Sequence, residues 1–406
     1  MNVIFIEPSF PYNQREFVRA LHAAGANVIG IGERPASALG DDLQHWLGDY
    51  VQVRSVVHEP SLLEAVRAVQ RRLWVDRLEA TVEAHIMAAA AVREASGIPG
   101  TSTHTAYLCR DKPAMKEALR KAGIPCARST RASTAQEARA FAAAVGYPLI
   151  VKPPAGAGAS GTWQVRDDAA LERVIGESGL ARGTAVAVEE FIEGHEGFID
   201  TLTIDGQVTH EFITHYYPNV LVAMRERWIS PQMVTTNRIE APGYGEVREM
   251  ARAVNRILGI GTSATHMEWF AGPKGLMFSE IGCRPPGVGQ WDVYNAANDF
   301  DLYFEWAEAL LHGRPHARPS RRYACGMIAL RPERDGRIAG YSGIDAVNER
   351  YGDCIVAAHL PDDGTPTQPV AAGYMANAWL RVRHPDYDRL RAILNDIGET
   401  VRVHAR

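Results

Sequence analysis

The chain opens with an unbroken apolar block inside "NVIFIEPSF", which predicts a buried strand. In "NQREFVRALHAAG" apolar residues recur at helical spacing, and Gly25 ends the predicted helix. "ANVIGIGE" is a second apolar block. Strand, helix and strand at this spacing make a βαβ unit of a parallel sheet. The pattern goes on through "DYVQV", the helix "SLLEAVRAVQRRLW", "LEATVEA" and the Ala-rich helix "HIMAAAAVREASG". Residues 1–108 therefore read as a small Rossmann-like domain. "EPSFPYNQ" stands where a glycine fingerprint would follow the first strand, so no dinucleotide is expected there.

Beyond it, "RDKPAMKEALRKAG" predicts a helix capped by Asp111, with Pro113 in its first turn and Gly123 at its end. "YPLIVKPP" and "TWQV" read as strands on either side of "AGAGASG". "AVAVEEFIEGHEGFIDTLTIDGQV" reads as strand, turn and a hairpin about Asp205-Gly206. "GEVREMARAVNRILG" is amphipathic, with Val247, Met250, Ala251, Val254, Ile257 and Leu258 on one face. "THMEWFAGPKGLMFSEIG" predicts a hairpin turned by Gly-Pro-Lys-Gly. The Pro/Arg segment "HGRPHARPSR" reads as a linker, followed by short strands and one helix, "YDRLRAILNDIG".

At 406 residues the chain is too long for one small core, and several subdomains are expected. Hydrophobic content of 46% and charged content of 22% fit a soluble globular protein. A net charge of −5 argues against general nucleic-acid affinity. No leader and no apolar run of membrane-spanning length is seen, so neither secretion nor membrane insertion is expected. Cys109, Cys126, Cys283, Cys325 and Cys354 form no CxxC pair, which reads as reduced thiols in a cytoplasm. Only five of the 43 basic side chains are lysines, so a lysine inside an apolar strand stands out.

That lysine is Lys152, and the run after it, Gly156 to Gly161, matches G-x-G-x-x-G. A Rossmann reading needs a helix to open at the last glycine, whereas β-branched and aromatic residues follow. A kinase reading puts the lysine on the wrong side of the loop, and a Walker loop lacks its Gly-Lys-Ser/Thr. The remaining readings are a glycine flap whose amides at Gly156, Gly158, Ser160 and Gly161 face phosphate oxygens, or a plain surface hairpin. Lys112 lies upstream at a helix start. "VEEFIEGHE" suits an adenine site: backbone groups at Glu190 and Ile192 face the ring edge, and Glu196 suits ribose hydroxyls. An ordinary acidic turn is the alternative. Glu268 and Glu280, each amid apolar residues on opposite arms of one hairpin, suit Mg²⁺ beside a triphosphate, or else the wet face of an antiparallel pair. In "FSEIGCRPPG" Arg284 follows Glu280 by four positions, and prolines then turn the chain away.

Lys, then Lys with a glycine flap, then E-E-F-I-x-G-x-E, then Glu, then Glu-x-x-x-Arg-Pro resembles the ATP-grasp superfamily from about Asp111 to Gly289. The N-terminal domain resembles the one preceding ATP-grasp cores in biotin carboxylase and related ligases. The resemblance implies an α/β (α+β) fold: the Rossmann-like domain (1–108), a small lobe with the flap (109–188), a large lobe with the metal site (189–315) and a C-terminal α+β subdomain (320–406). It implies ATP phosphates on Lys112 and Lys152, adenine on Glu189, Glu190 and Ile192, and ribose on Glu196. It also implies Mg²⁺, with Mn²⁺ as alternative, on Glu268 and Glu280, and an acyl phosphate on Arg284. Many members place Asn at the position of Gly282, so the number of metal ions stays open. "EIGCRPPG" with "HMEW" looks most like ligases that join amino acids to amines. The expected reaction is ADP-forming condensation of a small carboxylate with an amine. A kinase that stops at phosphoryl transfer is the alternative, and a nucleotide sensor with an inactive site is a third reading. His266, Arg225 and Arg227 are candidate substrate contacts, each with a structural alternative, and Cys283 is a packing residue. The family habit is a homodimer through the N-terminal domain.

Overall fold

A computed structural model describes residues 1–156 and 161–406; Gly158 and Ser160 of the glycine run lie outside the described residues. Strands β1 (Asn2–Ile6), β2 (Asn27–Gly32), β3 (Leu47–Gln52) and β4 (Arg77–Glu79) form a parallel sheet in the order β3-β2-β1-β4. Helices Gln14–Ala23 and Glu59–Gln70 lie between these strands in the chain, and helix Ile86–Ser96 follows the last of them. The "LEATVEA" stretch contributes only Leu78 and Glu79 to β4, because pairing with β1 stops at Phe5. The chain then turns through Glu83–His85 at the carboxyl end of the sheet, where open α/β sheets place ligands.

A second, antiparallel sheet is built from β5 (Ser129–Ala132), β6 (Leu149–Lys152), β7 (Trp163–Val165) and β8 (Val186–Glu190), ordered β5-β8-β6-β7. Leu149 and Val151 point into its core with Val165, Val186 and Val188. The strand period of two therefore turns Lys152 to the opposite face. Helix Lys112–Lys121 starts as read: the Asp111 carboxylate accepts the Ala114 N–H at 3.0 Å, and its buried face carries Lys112, Met115, Lys116 and Leu119.

The large sheet has eight strands. Its elements are β9 (His195–Ile204), β10 (Gln207–Tyr217), β11 (Gln232–Thr235), β12 (Ser263–Gly272), β13 (Gly275–Gly282), β14 (Ala324–Leu330), β16 (Ile355–His359) and β17 (Ala378–His384); β15 (Ile338–Ser342) pairs separately with β18 (Arg402–Ala405). The spatial order is β13-β12-β9-β10-β11-β14-β17-β16. The β9–β10 hairpin turns at Asp205 and Gly206, both in the left-handed region at φ +49° and +80°. One face of the sheet packs Ile199, Ile213, Met267 and Ile281 against Val247, Met250, Ala251 and Val254 of helix Gly245–Ile257. The other face packs Phe198, Leu202, Phe212 and Ala264 against Trp291, Tyr294 and Trp306 from helices Gln290–Asn298 and Leu302–His312. Residues 320–406 extend this same sheet through β14, β16 and β17. No helix among the described residues is long and apolar enough to cross a membrane.

Candidate active site

Three lysines and two carboxylates meet where the second sheet faces the large one. The Lys112 ammonium lies 3.4 Å from Glu280 and donates to the Gly156 carbonyl at 2.7 Å. The Lys152 ammonium lies 3.5 Å from Glu280 and 3.0 Å from Glu189. Lys116, fully buried, bonds Glu189 at 2.5 Å. Burial raises the Glu280 carboxyl, but the lysines, Lys112 foremost, outweigh it and hold it down at about 2. Burial likewise depresses Lys152, yet Glu189 and Glu280 carry it above the ordinary lysine range. For Lys116 burial wins, and its ammonium falls to about 8. The site is thus charged before any ligand arrives, with the acids occupying lysines that a phosphate would use.

Glu268 and Glu280 are direct cross-strand partners on β12 and β13. Their side chains are 19% and 24% exposed, so they lie at a cleft and not on a wet face. His266 pairs across β9 with Asp200: its Nδ1 lies 2.6 Å from the Asp200 carboxylate and its Nε2 3.7 Å from Glu268. The Tyr294 hydroxyl donates to the other Asp200 oxygen. Burial lowers His266, but Asp200 and Glu268 override it and raise it to about 9, so the ring is an imidazolium at neutral pH. His266 thus stands between Asp200 and Glu268, where it orients the Glu268 carboxylate.

Arg284 leaves the end of β13 and is caught from the N-terminal domain. Its Nε–H donates to Glu83 at 2.7 Å and one terminal nitrogen to the Pro285 carbonyl at 2.7 Å. Arg110 donates to the Glu83 backbone carbonyl at 2.5 Å and lies 3.2 Å from its carboxylate. Glu83, Arg110, Lys112, Gly156, His266, Glu280 and Arg284 share one small cavity. A Cβ added at Gly282 would make ordinary contact with the Arg284 side chain at 3.4 Å and with Glu83 at 3.5 Å, so the position borders this pair. Cys283 is buried in the same core as Cys109, as a packing residue would be.

The remaining candidates divide. The Glu190 N–H is taken by the Arg128 carbonyl at 2.9 Å, so of its backbone groups only the carbonyl could face a base edge; its side chain pairs with Arg128 and Lys274. The Ile192 N–H has no hydrogen-bond partner among the described residues. Glu196 accepts the Val220 N–H at 2.7 Å. Burial, then Glu268, pushes its carboxyl up to about 8. Arg225 donates to the Thr162 carbonyl at 3.1 Å, bridging to the exit of the glycine run. Arg227 points elsewhere, bonding Asp335 at 2.6 Å and the Pro332 carbonyl at 3.3 Å. Gly161, the last glycine of the run, sits in the left-handed region at φ +64°.

These groups fit a magnesium nucleotide. Glu189 keeps one buried oxygen, Oε1, without a partner among the described residues, an acceptor suited to an exocyclic amine. Among the described residues no group of three His, Cys, Asp or Glu side chains could hold a metal. Glu268 and Glu280 alone would leave a cation to complete its shell with phosphate oxygens and water, which is the habit of Mg²⁺.

The sequence reading missed Glu83, Arg110, Lys116 and Asp200. Lys116 had a signal: it follows Lys112 by one helical turn on the buried face. Asp200 also had one, as a lone acid within the apolar strand "GFIDTLTI". Glu83 and Arg110 had none, since their partners lie far along the chain.

Comparison with known proteins agrees. Residues 111–200 match the family described as carbamoyl-phosphate synthase L chain, ATP binding domain. The chain is 27% identical over 252 residues to an L-arginine-specific L-amino acid ligase of Bacillus subtilis, spanning 60% of each protein. It is 24% identical over 292 residues to an alanine–anticapsin ligase of Bacillus subtilis strain 168, covering 63% of this chain and 60% of that one. The match thus spans well under two thirds of each relative's length. Among solved structures, an L-amino acid ligase from Bacillus licheniformis superposes with a TM-score of 0.77 at 17% identity, covering 100% of this chain and 98% of that one. The N5-carboxyaminoimidazole ribonucleotide synthetase of Thermotoga maritima gives 0.70 at 17% identity, covering 100% and 99%. The chain thus shares the fold of these ligase structures, and its residues 111–200, which hold Lys112, Lys152 and Glu189, match the ATP-binding-domain family.

Proposed function

We propose that the chain is an ATP-dependent, ADP-forming ligase that activates a small carboxylate as an acyl phosphate and condenses it with an amine. The observation that supports this most is the convergence of Lys112 and Lys152 on Glu280, with Glu268 directly opposite and Arg284 four positions on. Phosphoryl transfer needs charge stabilisation in line with the attacking oxygen more than it needs covalent chemistry. Lys112 and Lys152 exchange Glu280 for phosphate oxygens and stabilise the charge that shifts toward ADP. Bound Mg²⁺ on Glu268 and Glu280 would neutralise phosphate charge. The substrate carboxylate attacks the γ-phosphorus, and Arg284, aimed by Glu83, holds the acyl phosphate oxygens. An amine then attacks the acyl carbon, its proton leaves with solvent, and phosphate departs. Arg225 holds the Thr162 carbonyl at the exit of the glycine run, and exclusion of water would protect the acyl phosphate.

The test is to incubate the protein with MgATP and pooled amino acids, small carboxylates and amines, follow ADP and phosphate, and search products by mass. Release of ADP that needs two substrates, with a product of their summed mass less water, supports the ligase. A phosphorylated product without condensation would make it a kinase. Either activity should vanish in Glu280→Gln.

A further inference from the structure

Two buried donors beside the acids have no acceptor among the described residues. Tyr374, only 7% exposed, leaves its hydroxyl unpartnered, and Arg331 leaves one terminal nitrogen, Nη2, unpartnered. Both come from the C-terminal part of the chain, which the sequence reading connected with no chemistry. Arg331 directly follows β14, and its other terminal nitrogen holds the Ala223 and Glu226 carbonyls at 2.5 and 3.0 Å. The Tyr374 ring lies 6.3 Å from that of Tyr216 on β10. Burial, with Glu196 and Glu268 nearby, pushes the Tyr374 hydroxyl far up, so it stays a donor. Met375 also reaches toward Gly289, in the loop after Arg284: a side chain at Gly289 would meet it at 3.5 Å.

Position in the sheet says what this group could serve. The lysines meet Glu280 on β13, at one edge. Moving across, Glu268 stands on β12 and Glu196 on β9, then come Tyr216 on β10 and Arg331 at the end of β14. The orphan donors are therefore on the side of the acids away from the phosphate-facing lysines. The order is cation and hydroxyl, then carboxylates, then the transfer site. A carboxylate held by the two donors would leave the rest of its molecule, with an amine, on the side of the transfer site. Buried donors without partners are costly and are usually resolved by a ligand or water.

We propose that Arg331 and Tyr374 are specificity-determining contacts for the free carboxylate of the amine substrate, so that the nucleophile is an amino acid and not a simple amine. This rests on the ligase reading for its chemistry, though binding can be measured without turnover. The experiment is calorimetric titration of the protein, saturated with MgADP, with each of the twenty amino acids and with the primary amide of each one that binds. The expected result is binding of at least one amino acid, with its amide at least about tenfold weaker. Arg331→Met and Tyr374→Phe should lose that preference while MgADP affinity stays as in the wild type. Tyr374→Phe removes only a hydroxyl, which separates lost recognition from the loss of the loop that Arg331 also holds. Failure of every amino acid to bind the wild type, equal binding of acid and amide, or a preference surviving in both variants would overturn the proposal. Carboxylate-dependent binding with no condensed product in the turnover assay would instead sink the ligase reading and leave this site standing.

Discussion

Glu83 and Arg284 stand 201 positions apart in the chain, yet their side chains meet at 2.7 Å. The N-terminal domain thus sets the direction of a guanidinium that the large sheet only supplies. Arg284→Lys keeps a positive charge but loses the fixed fork that lets one nitrogen bind Glu83 while others face the cavity. We expect turnover to fall about 10²- to 10³-fold, with MgADP affinity changed little. Steady-state kinetics beside calorimetry will show it; a matching loss of nucleotide affinity would place Arg284 on ATP.

Glu280→Gln should separate two effects. Turnover should fall at least about 10²-fold, because a metal ligand is lost. Lys112 and Lys152 are also freed from their ligand-free partner. ADP titrated in the presence of EDTA should then bind the variant at least as tightly as the wild type. Weaker metal-free binding would mean that Glu280 does not compete for these lysines.

Lys116 and Glu189 are both buried and bonded at 2.5 Å. Removing Lys116 leaves the buried Glu189 with Lys152 alone, so Lys116→Met should cost stability, by up to about 3–5 kcal/mol. The double variant Lys116→Met, Glu189→Leu should recover part of that loss. Thermal unfolding of both variants measures it; a single variant as stable as the wild type would show that Lys152 alone satisfies Glu189.

His215 lies on the other face of the large sheet, its Nδ1 2.8 Å from His195 and its Nε2 2.8 Å from the Tyr244 hydroxyl. Burial, helped by His195 and Arg391, pushes it down to about 3. Its ordinary value is 6.5, so between pH 6.5 and 3 the unfolded chain holds a proton that the folded one refuses. Stability attributable to His215 therefore falls as pH drops through that window, by at most about 1.4 kcal/mol per pH unit. His215→Leu should be less stable at pH 7 but show a shallower decline toward pH 4.5. Parallel wild-type and variant curves would refute the neutral ring.

Much of the site was readable because its pieces are local. Lys152 was marked by alternation on an apolar strand, Glu268 and Glu280 by their places on two arms of one hairpin, and helix Lys112–Lys121 by its cap. What escaped was pairing across the chain. Nothing around Glu83 announces Arg284, and a lone Asp200 does not name His266 until β9 and β12 come into register. The donor tip of Arg227 and the spare oxygen of Glu189 likewise depend on what lies opposite in space. The C-terminal stretch read as a tail because its strands are short, and only the completed sheet shows where Tyr374 and Arg331 fall.

That completed sheet also bears on how the protein is made. β11 pairs with β10 on one side and with β14 on the other, about ninety residues later in the chain. Until Ala324–Leu330 has left the ribosome, the strand "QMVT" presents a bare, apolar edge in a sheet that already holds the acids. A fragment cut at the linker would carry the lysines and carboxylates of the candidate site and still be prone to stick to its own copies. The last quarter of the chain acts in this sense as a built-in chaperone for the part that holds the candidate site.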